Sequence, residues 1–287
     1  MQAAPSGRAL RVNIIRVFRR AKALLVWRRL SFTGLPVVFG NAMPKSGSKL
    51  MLQVLQGIAR VGPFVETGRG PIRTITSDGR TRSPAEMLSD LRRLVPGDIG
   101  WGYLRATPEN IEMLCQPGWA TYFILRDPRD MLVSHIYYAT DMYEGHRMHD
   151  YYNRLPDMSE RLKAAIQGVQ DEGHRVPGVG ERYQRMTGWL DHNEVLAVHF
   201  EDFILDCENT IEAMLKHLEK AGYSLTLDYQ TAVGRVMAAI DPHKSPTFRK
   251  GSVGDWREHF NGEHKRIFKE AAGDLLIRLG YEKNNDW

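Results

Sequence analysis

The stretch from Leu35 to Ile58 constrains this chain more than any other. Leu35-Pro36-Val37-Val38-Phe39-Gly40 is a short apolar run ending in glycine, the pattern of a strand buried on both faces. Asn41 to Ser48 is polar and turn-rich, and Lys49 to Ile58 is an apolar helical segment. Strand, small-residue turn and helix form the opening unit of a parallel α/β domain. The alternation then repeats. Ala120–Leu125 and Val195–Phe200 read as strands, and Asp206 onward, through Ile211, Met214, Leu215 and Leu218, reads as an amphipathic helix. The expectation is one α/β domain over residues 34–287, a central parallel sheet flanked by helices, preceded by an arm at 1–33.

Between these elements the signals are local. Residues 62–82 hold Gly62, Pro63, Gly68, Gly70, Pro71 and Gly79 and read as loop. Ser83 before Pro84, with Glu86 close behind, marks a helix start, and Pro108 marks another. Trp101–Leu104 reads as a strand end. Met131–Tyr138 continues a helix entered through Arg126-Asp127-Pro128-Arg129-Asp130. Residues 139–158, rich in Tyr, His, Met and Asp with little periodicity, read as a partly mobile cover over a site. Residues 180–193 read as helix, and a last helix runs from about Gly262 to Leu279.

Charge is distributed unevenly. No Asp or Glu precedes Glu66, whereas eleven Lys and Arg residues fall in that stretch; the rest of the chain is net acidic. A protein that reads nucleic acid along its length would not be arranged this way, so no nucleic-acid partner is expected. Within the arm, Ile14, Val17 or Phe18, Ala21 and Leu24 or Leu25 recur at helical spacing between basic residues. Such a helix either packs on its own protein with the basic face solvated or lies on an anionic membrane surface. No apolar stretch reaches the roughly 20 residues that span a bilayer, and no signal-peptide core is visible. Cys115 and Cys207 show no metal-ligand or disulfide spacing. The expected location is cytoplasmic, with peripheral membrane contact through the arm as the variant.

Pro44-Lys45-Ser46-Gly47-Ser48-Lys49-Leu50-Met51 is the segment that carries chemistry. Amides at a helix start form an anion site, Gly47 lets the chain bend close to a ligand, and Lys45 and Lys49 add positive charge. It is not a Walker A motif, which needs two glycines at a fixed separation followed by lysine and a hydroxyl residue.

Together with three later segments this turn resembles the sulfotransferases that use 3'-phosphoadenosine 5'-phosphosulfate (PAPS), of the cytosolic or bacterial type. Pro44–Leu50 matches the family's 5'-phosphosulfate loop, and Arg126–Asp130 through Ser134 matches its 3'-phosphate segment. Phe248-Arg249-Lys250-Gly251 with Gly254-Asp255-Trp256 matches its late loop, and His199-Phe200-Glu201-Asp202-Phe203 matches a weaker fourth element. The resemblance implies a P-loop-like α/β fold and a PAPS donor, with no metal. It places Lys45 at the transferring sulfuryl group and Ser46, Gly47, Ser48 and Lys49 at the 5'-phosphate. Arg126, Ser134, Arg249, Lys250 and Gly251 fall at the 3'-phosphate, and Leu50 and Phe200 complete the nucleotide site. Nucleotide phosphates at two places need two anion sites, and the rigid donor fork of Arg suits one of them.

The pattern breaks at the general base. Many relatives carry a histidine where Gly100-Trp101-Gly102-Tyr103-Leu104-Arg105 stands here, and Tyr103 occupies the corresponding place. A phenol, with a reference pKa of about 10, is a poorer base than imidazole at about 6.5. Tyr103 and His135 are the catalytic candidates beside Lys45, with Asp141, Glu144 and His146 behind them. Leu50 replaces a tryptophan common beside the adenine, and residues 257–263 only partly follow the family's dimer-forming pattern, which leaves the oligomeric state open. The acceptor is a small alcohol, lipid or glycolipid if the aromatic set Trp101, Tyr103, Tyr137, Tyr138, Met142 and Tyr143 lines its pocket. Arg105, Arg147 and His149 would instead suit a sugar or anion. The competing readings are an impaired or non-enzymatic nucleotide-binding module and, more remotely, a small-molecule kinase.

Overall fold

In the computed structural model, which describes residues 7–76, 80–171 and 174–287, the arm is a helix, α1 (Gly7–Val26), and the apolar run is a strand, β1 (Val37–Ala42). Residues 1–6 of the arm and Gly79 of the expected loop lie outside the described residues. The chain continues through α2 (Ser48–Ile58), β2 (Val65–Glu66), β3 (Ile72–Arg73), α3 (Pro84–Leu91), β4 (Asp98–Tyr103), α4 (Pro108–Leu114) and β5 (Trp119–Leu125). Next come α5 (Pro128–Tyr137), α6 (His149–Arg154), α7 (Met158–Gln167), β6 (Gly168–Asp171), β7 (His174–Pro177) and α8 (Val179–Thr187). The last elements are β8 (Val195–His199), α9 (Phe200–Leu205), α10 (Cys207–Lys220), α11 (Tyr229–Met237), α12 (Gly262–Ala272) and α13 (Leu275–Arg278). Contacts divide the chain into two compact units: residues up to Leu125 with Trp189–Ser245, and Arg126–Gly188 with Pro246–Trp287.

The first unit is built on a parallel sheet of order β2-β4-β1-β5-β8, with β3 also paired to β4. β1 lies at its centre, Val38 registering with Ile99 on one side and Ala120 on the other. All six β1 residues are buried, as a central parallel strand requires. α2 turns Met51, Val54, Leu55 and Ile58 into a core that it shares with Ile211, Met214, Leu215 and Leu218 of α10 and Val236 of α11. A buried amide fixes the loop ends of the sheet. Asn41 donates to the Leu104 carbonyl at 2.9 Å and accepts from the Leu104 amide at 2.8 Å, and the Trp189 indole donates to the same carbonyl. The parallel sheet flanked by helices is the architecture expected from the sequence. So is the start of α3, where Ser83 and Glu86 form a reciprocal capping box.

The arm departs from expectation. α1 packs on this unit through Ala23 and Leu24 at its C-terminal end, but ahead of them arginines face inward: Arg16 and Arg20 bind Asp98, whose side chain is fully buried, and Arg19 donates to the Glu66 carbonyl at 3.0 Å. Ile14, Val17, Phe18 and Leu25 are exposed instead. One buried carboxylate accepting several guanidinium hydrogen bonds outweighs the apolar stripe in setting the helix's rotation.

The second unit is mainly helical, with α7 packed on α12 and a β6–β7 antiparallel hairpin beside them. Residues 139–158, expected as a partly mobile cover rather than core, do contribute to the core. A π-helical turn at Tyr138–Met142 leads to α6, and Met148 and Tyr152 are fully buried. The expected last helix is two, because Gly273 takes a left-handed φ of 57° at the end of α12. The 62–82 loop contains β2 and β3, which are too short to show a period. α7, the β6–β7 hairpin and α11 are elements not anticipated from the sequence.

Candidate active site

The turn after β1 is strained and tightly packed. Lys45 has φ +68° and Gly47 φ +88°, both left-handed. For Lys45 this costs roughly 1–2 kcal/mol. The Ser46 amide donates to the Met43 carbonyl at 3.1 Å, closing the turn, and the Met51 amide returns to the Gly47 carbonyl at 2.9 Å as α2 begins. A Cβ on Gly47 would lie 2.6 Å from Cδ2 of Phe200 and 3.3 Å from Cδ1 of Ile124, so only glycine fits. Phe200, first residue of α9, is therefore the wall against which the turn is pressed.

Donors gather at this turn, and no carboxylate lies within it. The Ser46 hydroxyl is fully buried and has no hydrogen-bond partner among the described residues. Such a group costs roughly 1–3 kcal/mol unless a ligand satisfies it. The Ser48 hydroxyl accepts from the Tyr103 hydroxyl at 2.8 Å, and the Lys49 ammonium lies 4.9 Å from the Trp101 ring centre. α2 has no side-chain cap and no acidic residue in its first turn, leaving its amides to an anion. Leu50 is half-buried against the core.

The second unit holds a cationic cluster built differently. Arg126 directly follows β5, is buried, and donates to the Ser252 carbonyl at 2.8 Å with Asp130 3.5 Å away. Asp127 caps α5 through the Arg129 amide at 2.9 Å. Asp130 accepts from the amides of Gly254 and Trp256, each at 2.8 Å, and so fastens the late loop to α5. Arg129 is enclosed by Asp127 and Glu282 and lies 3.8 Å and 4.6 Å from the ring centres of Trp256 and Trp287. Trp256 is thus a buried lock of the loop.

On that loop, Asp255 binds both Arg249 and Lys250, the latter at 2.8 Å. Burial alone would raise the Asp255 carboxyl, but hydrogen bonds from Lys250 and Arg249 prevail and hold it below its ordinary range. Hydrogen bonds to Asp255 and Glu258 in turn raise the Lys250 ammonium. Arg249 also lies 4.3 Å over the Tyr137 ring. Gly251 is left-handed at φ +65°. Ligand-type atoms of Asp255, Glu258 and His259 cluster here, yet Arg249 and Lys250 already occupy that carboxylate.

The site residues read from sequence therefore fall in two groups. The first unit collects Ser46, Gly47, Ser48, Lys49, Tyr103 and Phe200 about one turn. The second collects Arg126, Arg249, Lys250 and Gly251 about the late loop, with Ser134 half-buried on α5. His135, also on α5, packs its ring edge-on to His146 at 5.2 Å and Tyr152 at 5.8 Å. The anchoring roles of Asp130, Glu282 and Trp287 have no signal in the sequence, since their partners lie more than a hundred residues away. The pairing of Asp255 with its near neighbours Arg249 and Lys250 depends on the fold of the loop.

Comparison with known proteins identifies the family. A family model described as the sulfotransferase domain matches residues 122–280, more than half of the chain, including Arg126–Ser134 and the late loop. The chain belongs to the sulfotransferase domain family. The turn at Pro44–Lys49 lies ahead of the matched span. Among curated proteins, a 3-alpha-hydroxysteroid sulfotransferase of Cavia porcellus is 28% identical over 171 residues, 54% of this chain and 55% of that protein. The chain thus spans about half the length of that curated relative. Solved structures share its fold. A mouse sulfotransferase complexed with PAP superposes with TM-score 0.56 at 17% identity, over 85% of each chain. A retinol dehydratase in complex with androsterone and inactive cofactor PAP gives 0.57 at 15% identity, over 90% of this chain and 85% of that one. Among the described residues, no helix of the chain is long and apolar enough to cross a membrane.

Proposed function

We propose that this chain transfers the sulfuryl group of PAPS to an acceptor hydroxyl or amine. The observation that carries the assignment is the strained turn itself, where a buried Ser46 hydroxyl lacks a partner among the described residues beside Lys45 and uncapped helix amides. Family membership and the PAP complexes of the structural relatives support the same donor.

In the reaction, the acceptor oxygen or nitrogen forms a bond to sulfur while the bond from sulfur to the 5'-phosphate oxygen breaks. Lys45 neutralises the charge arriving on that leaving oxygen, and Ser46, Gly47, Ser48 and Lys49 hold the 5'-phosphate. Arg126, Ser134, Arg249, Lys250 and Gly251 serve the 3'-phosphate, and Leu50 and Phe200 border the nucleotide. The acceptor's proton passes to a base. Tyr103, bonded to Ser48 in the turn, is the first candidate, and His135 is the second. The exposed Tyr143 and half-buried Tyr137 and Tyr138 favour an apolar alcohol, lipid or glycolipid over a free sugar.

Incubation of the purified protein with PAPS and a panel of steroid, retinoid and glycolipid alcohols tests the assignment. Sulfated product by mass spectrometry and binding of adenosine 3',5'-bisphosphate without binding of ATP are expected; magnesium-dependent ATP consumption would sink it. Tyr103→Phe and His135→Gln separate the bases. Loss of the true base lowers kcat by about 10²–10⁴-fold and removes its limb of the pH–rate profile.

A further inference from the structure

The inverted arm leaves two features side by side that the transfer reaction does not use. The first is an apolar stripe facing solvent. Ile14, Phe18, Ala21 and Leu25 follow one another at steps of four, three and four, which places them on one line of the α1 surface. Phe18 is 72% exposed and Leu25 80%, with Val17 at 66% on the flank. The second is a cleft of about 490 Å³ lined by Arg16, Arg20, Arg69 and Arg93 together with Val17 and Val95. Val17 belongs to both features, so the cleft opens along the edge of the stripe.

Charge in the cleft is far from balanced. Asp98 accepts from Arg16 and Arg20, and Asp90 meets Arg93 at 3.2 Å from the side shared with Arg82. The Arg69 side chain donates to the neutral Asn13 amide at 3.0 Å. Burial, followed by repulsion from Arg16 and Arg93, lowers the Arg69 guanidinium below its ordinary value. Lys22, Arg28 and Arg29 are exposed farther along the arm, and no acidic residue precedes Glu66.

We infer that α1 and this cleft form a docking surface for an anionic bilayer, with the apolar stripe seated among the lipid chains and a phosphate headgroup in the arginine cleft. An apolar line bordered by cations, on a helix that does not cross the membrane, matches the charge and layering of that surface. The clamp of Arg16 and Arg20 on Asp98 fixes the helix so that the stripe points outward. Each basic residue near such a surface contributes about fivefold to binding, so the interaction falls steeply with added salt.

The test is flotation of the full chain with vesicles of phosphatidylcholine alone or with phosphatidylglycerol, at low and high salt. Binding to the anionic vesicles at least about tenfold stronger than to the neutral ones, lost in high salt, is expected. The doubly substituted Phe18→Glu, Leu25→Glu chain removes binding to both vesicle types. Arg69→Ala lowers the preference for phosphatidylglycerol by about fivefold or more and leaves the residual affinity for neutral vesicles unchanged. Both alter exposed or cleft side chains, so unchanged melting temperature and helical circular dichroism confirm folding. Three results overturn the inference. One is the absence of vesicle binding by the native chain. Another is equal binding by the Phe18→Glu, Leu25→Glu chain. The third is a doubled mass by light scattering that this variant abolishes, which would make a second copy the occupant of the stripe. In the first of these cases, inorganic phosphate bound in the cleft would identify a free anion as the occupant in place of the headgroup.

Discussion

The turn at Pro44–Lys49 and the loop at Arg249–Gly251 both present cations beside a left-handed glycine, yet they hold their charge in different ways. In the turn, no carboxylate is present, the backbone is strained at Lys45 and left-handed at Gly47, and a buried hydroxyl has no partner among the described residues. In the loop, Asp255 already engages both cations, and Asp130 fastens the backbone through the Gly254 and Trp256 amides. The turn is a site whose cost is met during folding, so a ligand gains nearly the full value of each contact. The loop must exchange one partner for another, so a ligand gains only the difference.

The sharpest way to break this contrast is Lys45→Ala. Turnover should fall by about 10²–10³-fold with an unchanged melting temperature, and unaltered kcat would remove Lys45 from the mechanism. Gly47→Ala comes next. It forces a Cβ to 2.6 Å from Phe200 in a left-handed conformation. It should destabilise the chain by about 1–3 kcal/mol and weaken adenosine 3',5'-bisphosphate binding, read by thermal melting and calorimetry. Adding Phe200→Leu should restore part of the stability, and no restoration would mean that the clash is not the cause.

Arg249→Met should have a smaller effect, raising the KM for PAPS about three- to tenfold with kcat held, because the wild-type cation already has a partner. A loss as large as that of Lys45→Ala would erase the difference between the two segments. The smallest effect concerns acid. Asp255 has a folded pKa below its ordinary value, so its ion pairs contribute stability above the unfolded pKa of about 3.9. That contribution disappears as pH falls through the folded value. Melting temperature measured downward from pH 5 should drop more for the native chain than for Asp255→Asn; parallel curves would rule out this contribution.

Local chemistry was legible in the sequence wherever neighbours in the chain are neighbours in space. β1 and α2 could be read from a buried apolar run and a helical period, the Ser83–Glu86 box from a three-residue interval, and Arg126–Ser134 from a contiguous motif. The second helical break at Gly273 and the packed state of Met148 and Tyr152 were not legible, because glycine's φ and a side chain's burial depend on what surrounds them. The same is true of Trp256. Its position after Asp255 was visible, but its role follows from Arg129 lying over its ring and Asp130 accepting its amide.

The arm draws the division most clearly. Its sequence determined a basic amphipathic helix, since a 3.6-residue period and an absence of acidic residues are properties of the chain alone. Which face turns inward was decided by tertiary structure. Asp98, buried at the start of β4, requires guanidinium partners, and a buried carboxylate left without them costs more than solvent exposure of Phe18 and Leu25. The phosphate turn divides in the same way. Its residues announced an anion grip, but Phe200, more than a hundred and fifty positions away, makes glycine obligatory at position 47.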